Sequence, residues 1–306
     1  METFKDCLIL SGRNGLYAAE AAGESGILLC RSATKIRKDG LKLCAGDRTT
    51  VEDNGDGTGF IREILPRKNA LIRPPVANIG LLVVVVSASQ PAADPFTVDK
   101  LTAVAENEHI PVAVAITKCE TDEGNGQALA DIYTKTPYPV FRLSDGGKNG
   151  GDALLSCMEN KLTVFCGASG AGKSTLLNTL FPQMHAETGE LSSRIGRGKN
   201  TTRVTSLFKI SSDTYVADTP GFTSLDWALC CGVPKEDILK LFPDLFSCAG
   251  NCRYTHCTHL VEDGCAVVEA VRSGEVSKSR HDSYCRLYRE RKAHPDYNIS
   301  KKKANG

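Results

Sequence analysis

The chain has 306 residues, 41% of them hydrophobic and 24% charged, with a formal net charge of +1. Ordinary globular composition at this length predicts two or three units with a sizeable core, and the balanced charge alone points to no nucleic-acid partner. Met1 to Leu10 carries Glu2, Lys5 and Asp6 where a secretory signal would be apolar. The longest apolar run, Ile79 to Ala88, is about half of the roughly 20 residues that a membrane helix needs, so no membrane role is expected.

Cys7 to Leu10, Gly26 to Cys30, Leu41 to Cys44 and Phe60 to Leu65 are short apolar stretches, separated by clusters such as Asp53-Asn54-Gly55-Asp56-Gly57. Short strands joined by tight turns predict a small β-barrel over residues 1–70. Pro66-Arg67-Lys68-Asn69 and Arg73-Pro74-Pro75 read as a linker, because consecutive prolines disfavour helix and ladder alike. Leu81 to Val86 is then a continuous Leu/Val run, as in a strand buried on both faces of a parallel sheet. A helical pattern follows over Val98 to Glu108, with further strands at Pro111 to Ile116, Val140 to Leu143, Leu162 to Cys166 and Tyr215 to Ala217. This alternation predicts an α/β domain over residues 71–226.

Beyond Trp227 strand signals vanish, and residues 227–306 read as a helical domain with a Cys/His cluster. Four of the 13 cysteines fall between Cys248 and Cys265, which points to metal and a reducing, cytoplasmic compartment rather than a secreted disulfide scaffold. From Arg272 to Lys303 there are ten Lys or Arg and four Asp or Glu, which is either a surface for phosphate backbones or a solvated helical face.

The strongest motif is Gly167-Ala168-Ser169-Gly170-Ala171-Gly172-Lys173-Ser174, a full match to the P-loop pattern between a strand and a helix that continues through Thr175. Glycines let successive N–H groups point at a phosphate, and the helix N-terminus adds partial positive charge. Lys173 would reach the β- and γ-phosphates and the Ser174 hydroxyl would ligate Mg2+. Asp218-Thr219-Pro220-Gly221 ends the last strand, offering a carboxylate to the magnesium shell and the Gly221 N–H to the γ-phosphate. Between them, Gly196 to Arg203 is polar, and Thr201 or Thr202 would complete the shell.

A GTPase reads its base with a segment resembling Asn-Lys-x-Asp. None lies downstream of Asp218; upstream, Thr117-Lys118-Cys119-Glu120 is an approximate match directly after a strand. Glu120 can accept both guanine protons, the Lys118 stem can lie over the ring, and Ser144 can add a supporting contact. Base reading therefore precedes phosphate binding along the chain. A second cluster, Cys252-x4-Cys257-x-His259-x5-Cys265, supplies three thiolates and one imidazole, a closed tetrahedral set suited to structural Zn2+. Cys248 and His256 are spares nearby.

With these motifs the sequence resembles the circularly permuted, ribosome small-subunit-dependent GTPases of the RsgA/YjeQ family over nearly its whole length. The matches include Cys44-Ala45-Gly46-Asp47, Pro66-Arg67, Arg73-Pro74, the P-loop, Gly196 to Arg203 and Asp218-Thr219-Pro220-Gly221-Phe222. The resemblance implies an N-terminal OB-fold barrel, a permuted GTPase domain and a zinc-binding tail. It also implies GTP and GDP as ligands, and the small ribosomal subunit and its rRNA as partners of a monomer. Thr117 and Glu120 stand where the family usually has Asn and Asp, and Asn200 where it often has His.

Phe222 occupies the position where many GTPases orient water with glutamine, which predicts slow intrinsic turnover that a partner raises by ordering Asn200 to Thr202. Two other classes compete: a P-loop ATPase or kinase, separable by nucleotide competition, and an RNA-binding scaffold, separable by turnover with subunits.

Overall fold

The computed structural model describes residues 2–21, 26–33, 42–184, 205–218 and 232–293. They fall in two compact units, one within Met1–Leu82, Leu155–Phe165 and Ser174–Phe222, the other within Val83–Leu154, Cys166–Lys173 and Thr223–Gly306. Among the described residues no helix is long and apolar enough to cross a membrane.

The first unit opens with strands β1 (Glu2–Arg13), β2 (Leu16–Glu20), β3 (Ile27–Ser32), β4 (Arg48–Asp53) and β5 (Thr58–Ile64). They pair around a ring, β1–β2–β3–β5–β4 and back to β1, with only β3–β5 parallel. That closed five-strand barrel is the expected one. Alternate inward residues, Cys7, Ile9, Ala19, Cys30, Val51 and Ile61, form its core. The β1–β2 hairpin turns on Asn14 (φ 51°) and Gly15 (φ 80°), the left-handed pair that a two-residue turn requires.

Two expectations change here. Residues 42–44 are not a strand; the strand is Arg48–Asp53, whose polar outward residues mask its buried alternates Thr49 and Val51. The proline segment is not a bare linker either. It folds as a small antiparallel ribbon of β6 (Ala70–Leu71) and β7 (Val76–Ala77), with Pro74 and Pro75 in the turn, where neither needs a ladder hydrogen bond.

Asp47 is fully buried, and its carboxylate accepts two bonds from the Arg67 guanidinium (2.7 and 2.9 Å) and one from the Cys44 N–H (2.8 Å). Gly46 lies at φ 87°, and a Cβ there would sit 2.1 Å from the Ala77 carbonyl. These contacts explain why Cys44 to Asp47 and Pro66-Arg67 stand out in the sequence.

Strand β8 (Leu81–Ser87) leads into the second unit, followed by helix α1 (Pro95–Asn107), β9 (Val112–Thr117), α2 (Glu123–Tyr133), β10 (Val140–Arg142) and α3 (Gly151–Met158). The sheet order is β10–β9–β8, with β10 parallel to β9, and every residue of β8 and β9 is buried. Asp94 caps α1 by accepting from the Phe96 N–H (3.1 Å), with Pro95 at the first helical position.

Strand β11 (Leu162–Cys166), helix α4 (Lys173–Leu180), β12 (Ser206–Ser211) and β13 (Thr214–Asp218) come next. β11 runs parallel to β13, while β12, a strand that the sequence analysis misses, is antiparallel to β13. Ser11 of β1 pairs with Ser206 of β12, and Glu20 accepts from Lys209 (2.7 Å) and the Tyr215 hydroxyl (2.6 Å).

The C-terminal part carries α5 (Pro243–Phe246), α6 (Ala266–Ser273) and α7 (Lys278–Ala293). Gly274, left-handed at φ 79°, ends α6. Part of the basic excess of α7 goes into packing rather than onto a solvated face. Arg280 is 0% exposed, and the Arg291 guanidinium donates to the Val233 carbonyl (2.7 Å).

Candidate functional site

The P-loop follows β11, where the chain must turn sharply against β8. Gly167 (φ 141°) leaves no room for a side chain, since a Cβ would lie 2.2 Å from the Val85 carbonyl. A Cβ on Gly170 (φ 78°) would lie 2.9 Å from the Pro91 ring, and one on Gly172 (φ 88°) 3.3 Å from the Thr117 hydroxyl. Three left-handed glycines thus bend the loop over strand ends, with Ala168, Ser169 and Gly170 exposed and Ala171 buried beneath them.

Lys173 opens α4, and its ammonium donates to the carbonyls of Gly167 (2.7 Å) and Ala168 (2.8 Å). Burial pulls its pKa below the ordinary lysine value. Ser174 and Thr175 are exposed on the first turn of the same helix. Behind the loop, burial pushes the Cys166 thiol up to about 12, so it remains an inert neutral group.

The segment Thr117 to Glu120 is brought to this loop. Thr117 is buried, and its hydroxyl lies 2.7 Å from the Ala171 carbonyl and 3.2 Å from that of Val86. A hydroxyl has one proton, so the shorter contact is the stronger bond. Lys118, left-handed at φ 59°, reaches across to the carbonyls of Gln90 (2.7 Å) and Gly170 (3.0 Å). Glu120 is exposed in the following turn.

The Cys119 N–H donates to Leu143 (3.2 Å), setting this turn beside Ser144, which forms a bridge with Asn149. Sequence reasoning missed Gln90 and Asn125, whose side-chain amide donates to the Ala88 carbonyl. Neither belongs to a motif. Asp218 ends β13, but its side chain lies outside the described residues, as do Thr201, Thr202, Gly221, Asn200 and Phe222.

A pocket of about 110 Å³ adjoins the phosphate loop, lined by Val84 to Ser87, Pro91 to Asp94, Thr97, Val98 and Leu101 with Gly167, Ala168 and Ala171. The start of α1 and the P-loop therefore share one cavity wall.

The second cluster sits before α6. The ligand atoms of Cys252, Cys257, His259 and Cys265 all lie within 4.8 Å of one another. Cys252 Sγ is 3.9 Å from Cys265 Sγ and 3.5 Å from His259 Nδ1, which lies 3.4 Å from Cys265 Sγ. Tetrahedral coordination with metal–sulfur bonds of about 2.3 Å puts sulfurs roughly 3.8 Å apart, so the set fits a metal ion. Burial lowers the His259 pKa, favouring the neutral imidazole that ligates.

Glu262 organises the surrounding loop. It accepts from the N–H groups of Thr258 (2.8 Å), Leu260 (2.8 Å) and Val261 (3.0 Å) and from the Thr258 hydroxyl. Although desolvation opposes it, these bonds hold its carboxyl down at about 2. Of the spares, Cys248 donates to the Asp244 carbonyl (3.6 Å) and His256 is exposed; neither joins the cluster.

Comparison with known proteins agrees with this architecture. The RsgA GTPase family profile matches residues 64–228. A protein of Caldanaerobacter subterraneus called small ribosomal subunit biogenesis GTPase RsgA is 38% identical over 283 residues, 92% of this chain and 94% of that one. The protein so named from Alkaliphilus metalliredigens is 37% identical over 292 residues, 94% of this chain and 98% of that one. Among solved structures, YloQ, a circularly permuted GTPase, superposes with a TM-score of 0.78 at 30% identity over 96% of both chains. YjeQ from Thermotoga maritima gives 0.77 at 28% identity, over 94% of this chain and 98% of that one. With the P-loop, the Thr117 to Glu120 segment and the Cys/His cluster arranged as described, the chain belongs to the RsgA GTPase family.

Proposed function

We propose that this chain hydrolyses GTP to GDP and phosphate on the small ribosomal subunit, late in that subunit's maturation, and that the subunit accelerates turnover. The observation that carries the nucleotide reading is the tie between the Thr117-Lys118 segment and the P-loop backbone, through Ala171 and Gly170. It supports a base-reading turn and a phosphate cradle acting on one ligand. The names of the relatives support the small subunit, and with it rRNA, as the partner.

In this reading the amides of Gly167, Ala168, Ser169, Gly170, Ala171 and Gly172 cradle the phosphates, with Ser174 and Thr175 at the helix start. Lys173 exchanges its two carbonyl partners for β- and γ-phosphate oxygens. The Ser174 hydroxyl, Asp218 and Thr201 or Thr202 hold Mg2+, and Gly221 donates to the γ-phosphate. When held there, the ion would supply positive charge to offset the negative charge developing on the transferring phosphoryl group. Glu120 accepts the guanine protons, Lys118 covers the ring and Ser144 supports the base. Cys252, Cys257, His259 and Cys265 hold a structural Zn2+, because three thiolates and an imidazole leave no position open for water. The working division is residues 1–70, 71–226 and 227–306, in a cytoplasmic monomer.

The test is phosphate release from GTP and from ATP, with and without purified small subunits. GTP-selective release that rises several-fold with subunits is expected. Equal use of ATP, or no response to subunits, overturns the proposal.

A further inference from the structure

Within a single turn, helix α7 touches both the metal loop and helix α1. Its Tyr284 hydroxyl donates to the Thr258 carbonyl (2.6 Å), and His281 Nε2 lies 2.7 Å from the His259 carbonyl. One residue earlier, Arg280 is 0% exposed and makes a charged bridge. It donates to Asp99 of α1 (2.8 Å), to both carboxylate oxygens of Asp244 (2.7 and 3.2 Å) and to Thr102 (3.2 Å). The Phe242 ring covers the guanidinium at 4.7 Å. Asp99 and Thr102 are themselves 0% exposed, and the α1 residues one position before each, Val98 and Leu101, line the cavity shared with Gly167, Ala168 and Ala171.

Removing the guanidinium from between two buried carboxylates leaves both without their cation in a dry interior, so the bridge depends on Arg280. The metal loop supplies the two-state element, since a Cys/His loop of this kind is ordered by its ion. We propose that Arg280 is a positioning residue that couples metal binding in the Cys252–Cys265 loop to the shape of the phosphate loop, through Asp99 and helix α1. With metal bound, the Thr258 and His259 carbonyls anchor α7, Arg280 fixes α1, and α1 holds its wall of the cavity against Gly167 and Ala168. Without it, the anchors go and the wall loosens. Coupling is reciprocal, so nucleotide tightens metal as metal tightens nucleotide. The second half of this statement rests on the nucleotide reading given above; the first does not.

The experiment uses the full chain, loaded with Zn2+ or stripped by chelator, in two arms. Amide hydrogen exchange over residues 85–94 and 167–173, without nucleotide, reads the wall and the loop directly. Exchange there is expected to speed up at least about fivefold on stripping, the low end of measured allosteric couplings. Dissociation of a fluorescent guanosine diphosphate is expected to accelerate by a similar factor. Arg280→Met should exchange and release nucleotide alike with and without metal. Should that variant fail to fold, Tyr284→Phe, which deletes one hydroxyl from an otherwise intact ring, should keep the metal and lose part of the coupling.

Unchanged exchange at both segments after stripping, or full coupling retained in Tyr284→Phe, overturns the proposal. Failure of any guanosine nucleotide to bind would overturn the nucleotide reading instead, and the exchange arm would still decide this one.

Discussion

Replacing Thr117 by Val removes one oxygen and keeps the shape of the side chain, so no cavity forms. Thr117 is 4% exposed, and its hydroxyl lies 2.7 Å from the carbonyl of Ala171, inside the P-loop. A buried carbonyl left without its donor costs about 1–3 kcal/mol. Ala171 is 3% exposed, so water cannot simply take over the bond. If half of that cost falls on the loop conformation that binds phosphate, guanosine nucleotides should bind roughly 2- to 12-fold more weakly, at about 1.4 kcal/mol per tenfold.

Titration calorimetry with GDP reads this directly. Thr117→Ser should bind within about twofold of the parent, because it keeps the hydroxyl. Thr117→Asn brings two N–H donors to a site with two carbonyl acceptors, Ala171 and Val86, and should bind at least as tightly as the parent. Parental affinity in Thr117→Val, or an equal loss in the Ser and Val variants, would refute the reasoning. The hydroxyl would then be packing volume and nothing more.

Three further outcomes follow from the same contacts. Gly167→Ala puts a Cβ 2.2 Å from the Val85 carbonyl at a φ of 141°, so the loop must shift; nucleotide binding by calorimetry should be lost while far-UV dichroism stays near parental. Arg67→Met strips a 0%-exposed Asp47 of its cation and should cost about 3 kcal/mol in urea unfolding, with Asp47→Asn in the same chain recovering part of it. Glu262→Gln replaces a carboxylate that organises three backbone N–H groups and should weaken metal retention about tenfold in a chelator competition. Because the folded Glu262 carboxyl lies near 2, below its ordinary 4.5, its contribution is fully present above about 4.5 and lost as pH falls toward 2. The Gln variant should lack that component of acid sensitivity.

Where one residue type has one physical use, the sequence was readable. The Leu/Val run became β8, the apolar stretch Pro111 to Ile116 became β9, and the P-loop glycines sit at left-handed angles against backbone and ring. Thiolates spaced for a tetrahedron came together. What was not readable depended on partners distant in sequence. β12, Ser206–Ser211, carries Lys209 and two serines, and its strand character comes from pairing with β13 and β1. Arg280 and Arg291 read as surface charge in a basic run, because their buried partners at 99, 244 and 233 are far away in sequence. Gln90 contributes only a main-chain carbonyl, which no side-chain pattern can reveal.

The pairing of Ser11 with Ser206 has a consequence for the sheet's margin. Without the barrel, β12 would be a terminal strand with open N–H and C=O groups beside Leu207 and Phe208, the kind of rim onto which other chains add strands. β1 meets that rim at Ser206, where it pairs through Ser11, and Glu20 neutralises Lys209 beside it. Removal of the first 70 residues is expected to bare that rim. A chain cut at that point should precipitate or form higher-order species in light scattering, independently of any loss of RNA contact.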